Sequence, residues 1–359
     1  MKKLVSLFVF TSSILLADLG HTQVKKECVI ERAVFELGSG VTTAAVATVN
    51  KCTNTIVKVQ GQIQKPVPYQ TYINTSIDRK TLPKKATKDG IAKIQEAKKE
   101  MNIDCSNIKC IGIATAAMRN AKNANVALEE IFKATGVKIS VISQKEEGLV
   151  GYYSAIVKGG LSTKEQKTTM VLDIGGGSYQ VVYPDHNEHV VYSGRIGSSI
   201  FRAMVIELVK GYSLHEINTP NPMTYDEVDD AKLLAVKSIG EPIKGVERIQ
   251  NLLKNPNGKI YGIGSFLKAM ARLSNKDKID DRNIETKISI DNVISTIKEL
   301  SLKSDDYIAA NYKNFPYPNE SVTNLIFVYG IMKAMNIKTI PIIDTNNTLG
   351  IFTMPKYWS

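Results

Sequence analysis

The chain is 359 residues long, 43% apolar and 23% charged, with both charge signs interspersed and a formal net charge of +11. Length and balance fit a globular protein of two domains and exclude a disordered or fibrous chain. The positive excess favours polyanionic ligands, while the lack of an aromatic-rich binding motif or recognition module argues against nucleic acid.

The first residues, MKK followed by LVSLFVFTSSILLA, combine a basic start with an apolar run of signal-peptide length, too short for a comfortable membrane span. A signal peptide over residues 1–22 is expected, although Leu15 stands where a small residue is preferred before Ala17, which leaves an uncleaved anchor as the alternative. The mature protein is then periplasmic or secreted and not integral to a membrane, since no later segment is apolar enough to span one. Export changes the meaning of Cys28, Cys52, Cys105 and Cys110, because an even count in an oxidising compartment suggests disulfides. Cys28 and Cys52 lie symmetrically about Gly40, so a hairpin turning there sets them opposite and leaves Cys105 for Cys110. No Cys-x-x-Cys occurs, and His186 and His189 lie in a segment that reads as a solvated turn, so neither residue type suggests a metal centre.

Residues 33–49, AVFELGSGVTTAAVATV, give an apolar strand, the acid Glu36, a glycine turn and a second strand. The lysine-rich stretch LPKKATKDGIAKIQEAKKE places Ile91, Ile94, Ala97 and Met101 on one helical face, leaving its lysines on a wet one. Residues 109–136 read as a strand, a turn carrying Arg119, and a helix from about Asn125 that Gly136 can end. A guanidinium just beyond an apolar strand can grip a phosphate in two-pronged fashion, or simply be a surface cation. In VISQKEEG, Ser143 and Glu146 have capping-box spacing, which makes Glu146 structural and leaves Glu147 in the first helical turn to take a proton from water.

Residues 170–184, MVLDIGGGSYQVVYP, repeat the plan of residues 33–49, with Asp173 falling on Glu36 and Gly175 on Gly38. Glycine lets backbone N–H groups approach a ligand closely, and three in a row can form a nest for phosphate oxygens beside an acid that anchors a metal. Two such hairpins, each followed by alternating helix and strand patterns, predict two related α/β domains with a ligand cleft between facing loops. The division is expected at residues 28–150 and 151–359, with the C-terminal end a candidate to return to the first domain.

The ordered motifs FELGSG, ATAAMRNA, VISQKEEG, VLDIGGGS, GRIGSS and YGIGSFLKAMARL resemble those of the exopolyphosphatase and guanosine pentaphosphate phosphohydrolase (Ppx/GppA) family, within the actin, sugar kinase and Hsp70 ATPase superfamily. The resemblance covers roughly residues 30–350. It implies two ribonuclease-H-like, actin-like domains flanking a cleft, a divalent cation such as Mg²⁺ or Mn²⁺, and hydrolysis of the terminal phosphate of inorganic polyphosphate or guanosine pentaphosphate. Carried over by motif, Glu147 is the general base and Arg119 the arginine on the terminal phosphoryl group. Gly38 and Ser39 form the first phosphate loop, and Gly175, Gly176, Gly177 and Ser178 the second. Gly197 and Gly264 are later cleft glycines, and Asp173 and Glu36 are the metal acids. A homodimer is compatible with this reading.

Departures from the family pattern bear on activity. The first loop has Glu36 before GSGV where aspartate and GSNS are usual, the second ends in SYQ so that Gln180 replaces an acid, GSF stands for GGT at residues 264–266, and NTLGIF lacks the usual arginine. Glutamine accepts hydrogen bonds but supplies no charge to a site that must hold a cation. The alternative to an exported phosphatase is therefore a catalytically weak or inactive sensor that binds polyphosphate or nucleotide, and an ATP-dependent kinase is disfavoured for want of an acceptor site.

Overall fold

The computed structural model describes residues 26–186, 188–240, 243–275, 286–312 and 317–358. The expected signal peptide lies outside the described residues. No described helix is long and apolar enough to cross a membrane.

Two sheets share one plan. The first is built from β1 (Val29–Leu37), β2 (Val41–Asn50), β3 (Thr55–Pro66), β4 (Lys109–Ala114) and β5 (Ile139–Val141), in the order β3-β2-β1-β4-β5. The second contains β6 (Thr169–Ile174), β7 (Tyr179–Asp185), β8 (Glu188–Gly194) and β9 (Lys259–Ile263), in the order β8-β7-β6-β9. In each, an antiparallel three-strand meander is extended by a strand parallel to its first member, β4 on β1 and β9 on β6. The fold is thus mixed α/β with an internal repeat, as the paired motifs predict.

The central strands are apolar on both faces because both faces are covered. Phe35 and Leu37 pack toward Tyr69, Ile94 and Ile131, beneath the helices Lys84–Glu100 and Ala124–Thr135. Val34, next to Phe35 in sequence, turns the other way toward Val150, Ile351 and Phe352. In the second half, Met170, Leu172 and Ile174 face the helices Tyr225–Ile239 and Ser321–Ala334, the latter apolar all round and almost wholly buried.

One helix serves both sheets. In Gln144–Gly159, Val150 packs in the first-sheet cluster, whereas Tyr152 and Ala155 pack on Val171 and Val182 of the second. The boundary expected between residues 150 and 151 falls inside this continuous helix, whose residues pack on both sheets. The C-terminal helix Thr348–Thr353 crosses it, with the Gly350 N–H donating to Ser154 Oγ at 2.6 Å, and packs on the first sheet.

Both disulfides are present, Cys28–Cys52 and Cys105–Cys110. The β1–β2 ladder pairs Val29 with Asn50, one residue off symmetry about Gly40, because the turn closes between Gly38 and Val41. Cys52 therefore reaches Cys28 from the turn after β2, at a Cα separation of 5.6 Å that a disulfide spans.

Candidate active site

The two repeated hairpins meet at the cleft. In each, the first residue of the turn donates its N–H to the carbonyl three residues on, Gly38 to Val41 and Gly175 to Ser178, both at 2.9 Å. Glu36 and Asp173 thus occupy equivalent places, each on the last stretch of a strand and paired across the ladder with Thr43 and Gln180. The loops nearly touch. A Cβ on Gly176 would lie 3.1 Å from Ser39 Cβ, and one on Gly177 would lie 3.1 Å from Ser39 Oγ.

The cleft is lined by Gly38, Ser39, Gly175, Gly176 and Ser178 from the loops, by Glu36, Asp173 and Glu147, and by Gly264 from the mouth of β9. Gly264 has φ +88°, and a side chain there would come within 2.9 Å of Asp173 Oδ1, so the position favours glycine twice over. Two expected glycines do not line the cleft. Gly177 packs against Gln70 and Ala116. Gly197 lies against the backbone of the second loop, where a Cβ would stand 2.4 Å from Gly176 C, Gly177 N and Ser178 N. The helix that follows, Ser198–Met204, spends the N–H groups of Ser198 and Ser199 on the carbonyls of Gly175 and Gly176, so this helix start braces the loop.

Arg119 sits in the short helix Ala116–Asn120, with Nη2 3.0 Å from Glu147 Oε2 and 3.4 Å from Ser178 Oγ of the second loop, and Nη1 donating to the Ile142 carbonyl at 2.9 Å. The guanidinium thus joins Glu147 to the second loop. Ser143 Oγ accepts from the Glu146 N–H as a helix cap, but the Glu146 carboxylate goes to Lys356 and Tyr357, each at 2.6 Å. Half of the expected box is therefore formed, and Glu147 stays clear of it.

The buried carboxylates of Glu36 and Glu147 and the part-buried one of Asp173 share this space. Burial raises Glu147 above the usual carboxylate range, and the Arg119 charge opposes that rise. Glu36 is pushed up to about 7 by burial, with Asn347 holding it down and the Glu147 charge adding to the rise. Asp173 is raised well above its ordinary value by burial and then by the charges of Glu147 and Glu36. Asn347 joins the last two, donating from Nδ2 to Glu36 Oε1 at 2.6 Å and bonding Asp173, while its Oδ1 is buried without a partner.

Among the described residues, no three Asp, Glu, His or Cys side chains are close enough to cage a metal. The donors present are nevertheless all oxygen: Glu36, Asp173 and the orphaned Asn347 Oδ1. One or two carboxylates completed by water and substrate oxygens is the way Mg²⁺ is held, so these residues fit a hard divalent cation.

Sequence reasoning missed Asn347 and Gly151. A Cβ on Gly151 would lie 3.0 Å from Asn347 Oδ1 and 2.9 Å from Ile263 Cδ1, so the bare helix face makes room for the amide. The EEGLVGYYSA spacing carried that signal, two small residues three apart on a helix pressed between sheets. No Lys or Arg is among the described residues lining the cleft, which places the chain's positive excess elsewhere.

Residues 69–210 match the model of the Ppx/GppA phosphatase family. Among solved structures, an exopolyphosphatase from Cytophaga hutchinsonii superposes with a TM-score of 0.69 at 14% identity, covering 91% of this chain and 98% of that one. A PPX-GPPA enzyme from Aquifex aeolicus superposes with a TM-score of 0.65 at 16% identity, covering 90% and 99%. Retrograde regulation protein 2 of Saccharomyces cerevisiae is 26% identical over 231 residues, 64% of this chain and 35% of that protein, so the chain matches about a third of that relative's length. The overall architecture, two domains each built on a mixed sheet, is that of these solved structures.

Proposed function

On the premise of Ppx/GppA phosphatase family membership, we propose that this protein is an exported, metal-dependent phosphohydrolase that removes the terminal phosphate of inorganic polyphosphate or a related phosphoanhydride. The observation that carries the reading is Glu147, a buried carboxylate in the first turn of a helix, held by Arg119 and opening onto two matched glycine loops. The loops orient the chain end through backbone N–H groups, and Ser39 and Ser178 add hydroxyl donors. Glu147 Oε, fixed by the guanidinium, accepts the proton of a water in line with the scissile P–O bond; the water oxygen bonds to the terminal phosphorus, the bridging oxygen departs with the shortened chain, and inorganic phosphate is released. Glu36 and Asp173 would hold the cation, with Asn347 as a third oxygen donor. When bound, it neutralises charge on the phosphoryl oxygens and polarises the water. Export is supported by the leader-like first residues and by two disulfides of the kind that persist in oxidising compartments.

The second reading, a sensor that binds without turnover, is favoured by Gln180. It is buried where the family has an acid, with Nε2 bound to Ser178 Oγ at 3.0 Å, and it adds no charge to the site. The matched curated relative is likewise named for regulation. Phosphate release by the purified mature chain, offered polyphosphate, guanosine pentaphosphate and ATP with Mg²⁺ or Mn²⁺, separates the readings. Release from polyphosphate supports the hydrolase, and binding without release from any of the three supports the sensor.

A further inference from the structure

The first turn of a helix has N–H groups without partners inside it, so it frays unless something outside holds it. Glu147 stands in such a turn, at the start of Gln144–Gly159. Ser143 Oγ accepts from the Glu146 N–H at 3.2 Å, and the Ser143 carbonyl accepts from the Glu147 N–H at 2.9 Å. A complete capping box would add the Glu146 carboxylate, folded back on the Ser143 N–H. That carboxylate goes instead to a residue 211 positions away, its Oε1 accepting from the Tyr357 hydroxyl at 2.6 Å with Lys356 Nζ at the same distance.

The partner segment is itself held at many points. Trp358 donates from Nε1 to the Ile351 carbonyl at 2.7 Å, lies with its ring parallel to that of Phe352, has the Arg32 guanidinium 4.2 Å over its ring, and accepts Lys109 Nζ on its carbonyl at 2.8 Å. Gly350 approaches so closely that a Cβ there would stand 2.0 Å from the Val150 carbonyl oxygen of the base-bearing helix. At the far end of the same segment, Asn347 bonds Glu36 and Asp173. One stretch, residues 347–358, thus touches both the acids suited to a cation and the turn that carries the base. Of the two groups on Glu146, Lys356 is half exposed, and exposed ion pairs contribute little. The part-buried Tyr357 hydroxyl makes a charge-assisted bond, which is the stronger kind.

We propose that Tyr357, acting through Glu146, is a positioning residue for Glu147: it clamps the first helical turn to the segment that holds Glu36 and Asp173, and so fixes the spacing between the base and the cation acids. The inference rests on the phosphohydrolase reading. Neither Tyr357 nor Glu146 lines the cleft, so neither meets substrate. Arg119 orients the Glu147 carboxylate, whereas Tyr357 places the backbone that bears it.

The test is a double-mutant cycle of Tyr357→Phe and Glu146→Ala, read by kcat and KM on polyphosphate, by melting, and by hydrogen exchange at the amides of Glu146, Glu147 and Gly148. Each single change should lower kcat roughly tenfold and leave KM within about twofold, because a displaced base misses the water while the loops still bind. The double variant should be no worse than either single, since both remove one bond. Glu146→Gln keeps an acceptor for the hydroxyl and should restore most of the rate, whereas Lys356→Met should change it by less than about twofold. Exchange at the three amides should quicken about tenfold in Tyr357→Phe, with the rest of the helix unchanged. A kcat within twofold of wild type in both singles, additive losses, a loss carried by KM, or unchanged exchange would overturn the clamp, whatever the melting temperature does. The two readings can fail separately. No phosphate release by the wild type, with the three amides quickened in the variants, defeats the hydrolase and keeps the clamp. Release by the wild type, with rate and exchange unchanged in the variants, does the reverse.

Discussion

Asn347 donates its amide to Glu36 at 2.6 Å, joining residues 311 positions apart in the sequence and tying the C-terminal segment to the first strand beside the cleft. The same amide bonds Asp173, so one neutral group stands between two acids that repel each other. Replacing it by an apolar group of similar size leaves both carboxylates short of a partner, at a cost of about 1–3 kcal/mol. Asn347→Leu should therefore lower the melting temperature of the metal-free protein, and added Mg²⁺ should raise it by less than in the wild type, since the variant lacks one oxygen donor to the cation. A variant that melts like the wild type, with or without Mg²⁺, would remove the bridge from the account.

A pH dependence follows from Glu36. Its pKa is raised from 4.5 to about 7 in the folded state, chiefly by burial, so the native protein holds a proton that the unfolded chain releases. The contribution to stability is complete below the unfolded value, is lost as pH climbs from 4.5 to about 7, and changes little above that. Without divalent cations the melting temperature should fall across that window, and Glu36→Gln should flatten the fall. Differential scanning calorimetry in chelator at stepped pH measures it. An unchanged slope in the variant would place the titration on another group.

Much of this arrangement was legible in the chain. The repeat of strand, acid, glycine and strand foretold two matched hairpins, because a turn that needs bare backbone must be written locally in glycine. Its match extends to the same turn hydrogen bond at Gly38 and Gly175. The roles of Arg119 and Gly197 were less legible. Which partner a guanidinium meets, or which backbone a glycine presses on, is decided by segments distant in sequence. Arg119 meets Glu147 and Ser178, and Gly197 lies against the back of a loop. Asn347 was hidden for the same reason, in a segment read only for the arginine it lacks. The expected domain boundary falls inside a helix that packs on both sheets, and such a helix carries no compositional break.

Arg119 sets both the position and the proton affinity of Glu147. Its charge opposes the burial that raises that carboxylate, so Arg119→Met should raise the pKa of Glu147 further. If Glu147 acts as a base, it must be ionised, and the acidic limb of the kcat/KM profile should then move to higher pH while the plateau also drops. Arg119→Lys keeps a charge but loses the two-pronged hold on Glu147 and Ile142, so the limb should move less than the plateau. A plateau loss with the limb fixed in both variants would mean that Arg119 works on the phosphate after all.

Glu147 and Gln180 decide between turnover and binding. As general base, Glu147 contributes a factor of about 10² to 10⁴, so Glu147→Gln should lower kcat by that order and leave polyphosphate affinity nearly intact. Gln180 is a different case, because it is buried against Ser178 and pairs across the ladder with Asp173, which burial and two neighbouring acids already hold above its ordinary pKa. Gln180→Glu adds a further acid to that cluster. The metal-free variant should melt lower than the wild type, and saturating Mg²⁺ should reverse the loss and raise kcat above the wild-type value. A protein that evolved into a sensor would show the melting change, since buried acids repel whatever the function, but no gain in rate. Melting and turnover must therefore be read on the same samples. Destabilisation by Gln180→Glu, with no phosphate release at any Mg²⁺ or Mn²⁺ concentration, would leave the fold account standing and give the cleft to a binding protein.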